Sequence, residues 1–367
     1  MDNIERNVWC ILGLPFDALN IDKVVDKLHH IAINKTPCFV STPNLNFLIE
    51  SQTDPVFRDS VINSELSVVD GKPLVWIARL LGIPISERVA GSDLIEEFIK
   101  NKGGYKPLKV FFFGGEAGIA ESACEKLNSQ TSGLQCVGNL YPGFGSIADM
   151  SSEDIINQIN QNDADFVIVS LGAKKGQTWI ERNRKQINAP LISHLGAVVN
   201  FIAGTVNRAP KFLQKIGMEW LWRIKEEPVL WKRYFHDAIS FFYLLIFKVF
   251  PLFIIIRVVG KKAGKNKFSI ELFNSVETMK IELSGSCSEN NIPAINKIFK
   301  NVINSPIDGE VNIVIKDGAY VDAAFLAKIL LLKNILSNNK RNLNIITESK
   351  LVDKIFRYNC CEYLLQR

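Results

Sequence analysis

Asp70 closes the short apolar run Ser67-Val68-Val69 and is followed by Gly71. A carboxylate at the carboxyl end of a buried strand, walled by apolar groups, can have its pKa raised and serve as a general base. The same Asp-Gly pair also suits a simple turn. Gly114-Gly115-Glu116-Ala117-Gly118 follows a second apolar run and opens a helical pattern. Backbone N–H groups at such a junction can hold a phosphate. A plain strand-to-helix turn is the competing reading, and the GxGxxG spacing of a dinucleotide site is absent. Thr42 and Asn44 offer a hydroxyl and an amide to sugar or phosphate oxygens, or else cap a helix beginning at Leu45. Arg88 suits a phosphate clamp or a surface ion pair. Gln177 and Trp179 suit a sugar or base edge, or packing.

Other chemistries have little material. Only four histidines are present, and the seven cysteines form no CxxC pair, so neither a metal centre nor a disulfide scaffold is expected. A reducing compartment fits this cysteine usage. No cofactor is expected, and the polar opening residues do not read as a secretory signal.

The elements that must position these residues follow an α/β pattern over residues 1–205. Strands are expected at Trp9–Leu12, Cys38–Ser41, Ser67–Val69, Lys109–Phe113, Phe166–Ser170 and Leu191–His194. Helical patterns lie between them, at Ile21–Ile33, Leu45–Ser51, Ser92–Asn101 and Glu116–Asn128. Such continuous apolar strands with helical crossovers predict a Rossmann-like, mostly parallel sheet covered on both faces, with ligands beyond the carboxyl ends of its strands.

The net charge of +5 is unevenly spread. Residues 211–267 hold twelve Lys or Arg against four acids, +8, which leaves −3 for the rest. Trp220, Trp222 and Trp231 share this segment, and an apolar run follows from Ala238 to Val259. Basic groups, interfacial aromatics and an apolar run predict a membrane-associating appendage over 206–262, and they suit acyl chains better than nucleic acid. The run suits a helix lying in the interface, a re-entrant hairpin, a true span or a helix buried between domains. Lys248 near its middle and Pro251, expected to break or kink it, count against the span.

Taken together, the motifs resemble the WecG/TagA/CpsF glycosyltransferases (family 26). The likeness runs through Thr42-Pro43-Asn44, Val69-Asp70-Gly71-Lys72-Pro73-Leu74-Val75-Trp76 and Glu87-Arg88-Val89-Ala90-Gly91-Ser92-Asp93-Leu94. It continues through Phe113-Gly114-Gly115, Ser170-Leu171-Gly172-Ala173, Ala203-Gly204-Thr205-Val206-Asn207-Arg208-Ala209-Pro210 and Gly217-Met218-Glu219-Trp220-Leu221-Trp222-Arg223. It implies an inverting, metal-independent transfer from a UDP-sugar to a polyprenyl-diphosphate-linked saccharide, in surface or exopolysaccharide synthesis at the cytoplasmic face of the bacterial inner membrane. It also implies Asp70 as the base, with Thr42, Asn44, Arg88, Gly114, Gly115, Gly172, Gln177 and Asn200 on the substrates. Arg208, Arg223, Lys232 and Arg233 would meet the acceptor diphosphate or the membrane. Lys174-Lys175-Gly176-Gln177 and Asn200 depart from the family's pattern, and the donor sugar stays open between N-acetylmannosamine, its uronate and glucose.

A basic linker, Lys261–Lys267, precedes residues 268–367, which resemble a STAS domain in Val311–Ile315, Ala323–Ser337, Leu343–Ile346 and Lys350–Arg357. Ala323 stands where that fold carries its phosphorylatable serine, so the domain is expected to dock partners, whether polysaccharide-biosynthesis proteins or a second copy. A plain stabilising appendage is the other reading. Two rival functions remain: an inactive membrane scaffold, and a nucleotide-dependent oxidoreductase.

Overall fold

The computed structural model describes residues 3–101, 103–260, 266–275, 278–307 and 309–366. Part of the expected linker, residues 261–265, lies outside them.

Six parallel strands form the central sheet: β3 (Cys38–Ser41), β4 (Leu66–Ser67), β5 (Leu108–Gly114), β6 (Leu134–Leu140), β7 (Phe166–Ser170) and β8 (Leu191–His194), in the order β4-β3-β8-β7-β5-β6. Central strands β3, β7 and β8 are buried along their whole length. That explains their uninterrupted apolar sequence, because helices cover both faces. These are α1 (Ile21–Ile33), α2 (Leu45–Thr53), α3 (Pro55–Ile62), α4 (Lys72–Leu81), α5 (Gly91–Lys100), α6 (Ile119–Asn128), α7 (Glu153–Gln161), α8 (Ala173–Asn183) and α9 (Val198–Ala203). From β3 the chain steps outward to β4, and it reaches β8 from the opposite side. The loops after these neighbours therefore diverge at a topological switch point, where such sheets hold ligands.

The expected strand at Trp9–Leu12 does not join this sheet. Val8–Ile11 (β1) and Leu14–Asp17 (β2) form a separate antiparallel hairpin, turned by Leu12 and Gly13 at φ of +47° and +91°. Its four-residue apolar run reads like a sheet strand, but its partner is the C-terminal region.

That region holds a four-stranded sheet of β9 (Ser269–Asn274), β10 (Thr278–Ser284), β12 (Glu310–Ile315) and β14 (Leu343–Thr347), ordered β14-β12-β10-β9. A short pair, β11 (Ser286–Cys287) and β13 (Tyr320–Val321), lies beside it. Beyond the appendage helices α10 to α13, described next, its own helices are α14 (Ile292–Ile303), α15 (Ala323–Asn338) and α16 (Lys350–Tyr358). Helix α15 is buried nearly all round because the β1–β2 hairpin packs against it. Lys328 on α15 donates to the carbonyls of Ile4, at 2.6 Å, and Arg6. Cys10 Sγ lies 3.8 Å from Cys361 Sγ. One continuous apolar core joins the hairpin, α2 to α4 and the C-terminal region.

The appendage contains α10 (Lys211–Ile216), α11 (Glu219–Glu226), α12 (Trp231–Leu244) and α13 (Phe250–Ile255). From Pro228 to Gly260 it is one helical run of 33 residues. Pro251 does not break it, contrary to expectation. The turn at Leu245–Val249 is a π-helix, whose wider loop accommodates the ring and the missing N–H of a proline at the start of the next turn.

Cys124 and Cys136 also depart from expectation: they are joined in a disulfide, with Cα atoms 5.1 Å apart. Packing of α6 against β6 brings them together, and a spacing of 12 residues carries no such signal.

Candidate active site

Three motif segments meet at the carboxyl ends of β3 and β4. The Asp70 N–H donates to Pro43 O at 3.0 Å, and the Val89 N–H donates to Val69 O at 2.7 Å. These bonds hold Thr42-Pro43-Asn44, Asp70 and Arg88 around one point. Gly91, at the start of α5, closes the group, since a Cβ there would lie 3.7 Å from Thr42 Oγ1 and 2.5 Å from Leu195. Gly71 takes φ of +122° with ψ of 140°, a conformation that essentially only glycine adopts. It turns the chain abruptly from Asp70 into α4, whose second residue is Pro73.

Asp70 is partly buried, and its carboxyl has no hydrogen-bond donor among the described residues. Burial pushes its pKa up to about 7; Arg88 and Arg208 pull it down, and Glu219 and Asp93 add to the rise. Asn44 is the N-cap of α2, its side chain accepting from the Phe47 N–H at 3.2 Å. Thr42 is buried beside it.

Arg88 donates to Glu219 on α11 at 2.5 Å and lies 3.4 Å from Asp93 on α5. Arg208 pairs with Asp93 and, at 2.5 Å, with Glu96. These five charges link the carboxyl end of the sheet to the appendage and stand next to Asp70. Sequence reading found the two arginines but not their acids, because partners such as Arg88 and Glu219, 131 positions apart, share no local pattern. Arg223 pairs with Glu227 at 3.0 Å and lies over the Phe201 ring at 5.6 Å. Lys232 and Arg233 are exposed and form no ion pair among the described residues.

The glycine-rich turns follow β5 and β7 of the same sheet. Gly114 has φ of +96°, and a Cβ on it would meet Ser170 O at 2.7 Å. Gly115 donates its N–H to Ser170 O at 2.6 Å and faces Val199 on α9, the helix that carries the partly buried Asn200. Gly172 is the exposed N-cap of α8, with open space where a side chain would stand. Gln177 is buried and donates to Ser41 Oγ at 2.9 Å, whereas its own Oε1 and the nearby strand-end Ser170 Oγ have no partner. The departure at Gly176 has a packing reason: a Cβ there would lie 2.1 Å from the ring of His194. That ring is buried, within 2.5 Å of Leu171 O, and burial holds its pKa below the usual value. Trp179 is fully buried in the core, stacked on Phe113 and donating to Met150 O at 2.7 Å.

Among the described residues no group of His, Cys, Asp and Glu is arranged to hold a metal ion. The carboxyl ends of the sheet thus carry one carboxyl with a raised pKa, two arginines paired with three acids, and a set of glycine-rich turns.

Comparison with known proteins identifies the family of the chain. An N-acetylglucosaminyldiphosphoundecaprenol N-acetyl-beta-D-mannosaminyltransferase of Bacillus spizizenii (strain ATCC 23059 / NRRL B-14472 / W23) is 25% identical over 195 residues, 53% of this chain and 74% of the relative. Proteins with the same description from Bacillus subtilis (strain 168) and Staphylococcus aureus (strain MW2) are 25% and 23% identical over 226 and 225 residues, each 61% of this chain and 85% of the relative. The model of the glycosyl transferase WecG/TagA/CpsF family matches residues 9–252, from the hairpin into the appendage helix, and the chain belongs to that family of glycosyltransferases.

Proposed function

We propose that this glycosyltransferase moves a sugar from a UDP-sugar to a saccharide carried on a polyprenyl diphosphate, with inversion and with Asp70 as the base. One observation carries the reading: a carboxyl with a pKa of about 7 and no donor of its own, set where three substrate-lining segments converge. A base is most effective when its pKa lies near the working pH. Asp70 takes the proton of the acceptor hydroxyl as its oxygen forms a bond to the anomeric carbon. The bond from that carbon to the diphosphate breaks on the opposite face, and UDP leaves with the electron pair. Thr42, Gln177 and Asn200, with the turns at Gly114, Gly115 and Gly172, are assigned to the donor. Arg88, held between Glu219 and Asp93, orders the appendage over the acceptor. Arg208 and Arg223 brace it, and the unpaired Lys232 and Arg233 are available to the acceptor diphosphate or to anionic lipid.

The names of the relatives support N-acetylmannosamine as donor sugar and N-acetylglucosaminyl-diphosphoundecaprenol as acceptor.

The appendage helix packs one side on α2, α4 and α16 and leaves the other bare. Phe235, Ile239, Phe242, Ile246, Phe250 and Ile254 are all exposed at helical spacing along it. A helix half covered by protein and half apolar to solvent fits an in-plane position at a membrane surface better than a span. The cytoplasmic leaflet, where nucleotide sugars are found, is its assigned site.

The C-terminal region, whose sequence resembles a STAS domain, is assigned to bracing the fold rather than to docking, because the hairpin of its own chain covers α15.

The test is thermal unfolding with a panel of UDP-sugars, followed by transfer to a lipid-linked acceptor. A donor that binds the folded state raises the unfolding temperature by mass action. No shift with any UDP-sugar, together with no transfer, defeats the reading and leaves the inactive scaffold.

A further inference from the structure

Helix α4 has Asp70 and Gly71 at its amino end. Lys72, Trp76 and Leu80 fall four residues apart on one face of it, Lys72 partly buried and the other two 49% and 39% exposed. The α10–α11 turn rests on the first part of that face, where a Cβ on Gly217 would lie 3.0 Å from Lys72 and 3.5 Å from Trp76. At the far end the face runs into a cavity of about 500 Å³. Leu80, Leu81 and Ile83 form one wall, Leu252 and Ile256 of the appendage helix the second, and Trp9 with Val321 the third. The cavity thus exists only because the hairpin and the C-terminal region close against the appendage. Its volume and its mainly apolar lining, which also includes the carboxyl groups of Glu289 and Asp322, are those of a ligand site.

We propose that this face and the cavity at its end hold the hydrocarbon chain of the lipid-linked acceptor. The inference rests on the reading of the acceptor as lipid-linked. From Lys72 to Leu80 the rise is about 12 Å at 1.5 Å per residue, so a saccharide held at Asp70 has its chain directed along Trp76 toward the cavity. Arg257, exposed at the rim and stacked over Phe253 at 5.2 Å, has no acidic partner among the described residues. It is placed at the boundary between chain and headgroups.

The experiment compares KM for N-acetylglucosaminyl diphosphate carried on undecaprenyl with KM for the same head on a short, water-soluble alkyl chain. The parent protein should favour the long chain. Leu80→Glu, at a half-exposed position, and Ile256→Trp, which fills the cavity, should each reduce that preference about tenfold, the equivalent of roughly two buried methylenes. Ile33→Glu, at an exposed site on α1, should leave it unchanged. An unchanged preference in both track variants, or no preference in the parent, overturns the proposal while leaving the acceptor reading in place. Transfer by the parent to neither acceptor overturns both.

Discussion

Arg88 Nη1 donates to Glu219 Oε2 at 2.5 Å, joining the segment after β4 to the first long helix of the appendage, beside the carboxyl of Asp70. The two partners act on Asp70 with opposite sign: Arg88 lowers its pKa and Glu219 raises it. With Asp70 as the proposed base, transfer requires its ionised carboxylate, so kcat/KM should fall below about pH 7 in the parent. Glu219→Gln should move this acidic limb to lower pH and Arg88→Met to higher pH. Shifts of the same sign in both variants would remove the pair from the electrostatics of the base.

Lys328 ties α15 to the N-terminal segment through two backbone carbonyls. Lys328→Met keeps the bulk and leaves those buried carbonyls without their donor, a cost of about 1–3 kcal/mol for each buried group left unpaired. Chemical denaturation should show one cooperative transition, moved to lower denaturant. Deleting residues 268–367 should expose the hairpin and yield aggregated protein; a soluble, fully active truncation would return the C-terminal region to the role of a docking module.

Gly176 and His194 form a coupled pair. In Gly176→Ala the new methyl collides with the imidazole, and overpacking of this kind costs about 1–3 kcal/mol. The double variant Gly176→Ala/His194→Ala should recover part of that loss, since the second change opens the space the first one needs. Additive losses would show that the two residues do not share that space.

Membrane contact is assigned to the bare face of the appendage helix. Replacing Phe242, Ile246 and Phe250 by serine removes exposed apolar groups worth about 1.5–3 kcal/mol each on full burial. Flotation with anionic vesicles should then lose the protein to the dense fraction, with its unfolding temperature preserved. Undiminished flotation would place the contact elsewhere.

Much of this molecule was legible in its sequence. Cys38–Ser41, Phe166–Ser170, Leu191–His194 and Ile21–Ile33 fall where apolar runs and helical period put them. Short-range signals decide those elements. Strand β6 escaped notice because its sequence, Leu-Gln-Cys-Val-Gly-Asn-Leu, is partly polar at a sheet edge. Strand β2 escaped because Pro15 interrupts it. The position of Asp70 followed from a buried strand ending in a carboxylate. The charges around it did not, because Asp93, Glu96 and Glu219 acquire meaning only when α5 and α11 meet. The merging of the hairpin with the C-terminal core was equally hidden: nothing near Val8–Ile11 says that its partner lies more than 300 residues away.

The raised pKa of Asp70 also makes a statement about stability. Its folded pKa of about 7 lies above the unfolded value, so the folded state binds the extra proton. This favours folding at low pH and is lost as pH rises from about 4 to about 7. Asp70→Asn should therefore match the parent near pH 4 and unfold at higher temperature than the parent at pH 8.

The same variant gives the most direct test of the base itself. With UDP-sugar and lipid-linked acceptor saturating, single-turnover transfer by Asp70→Asn should fall by about 10²–10⁴-fold, the usual contribution of a positioned base, while UDP-sugar still protects the protein against unfolding. A rate within a few-fold of the parent at pH 8 would contradict the assignment of Asp70 as the group that takes the acceptor's proton.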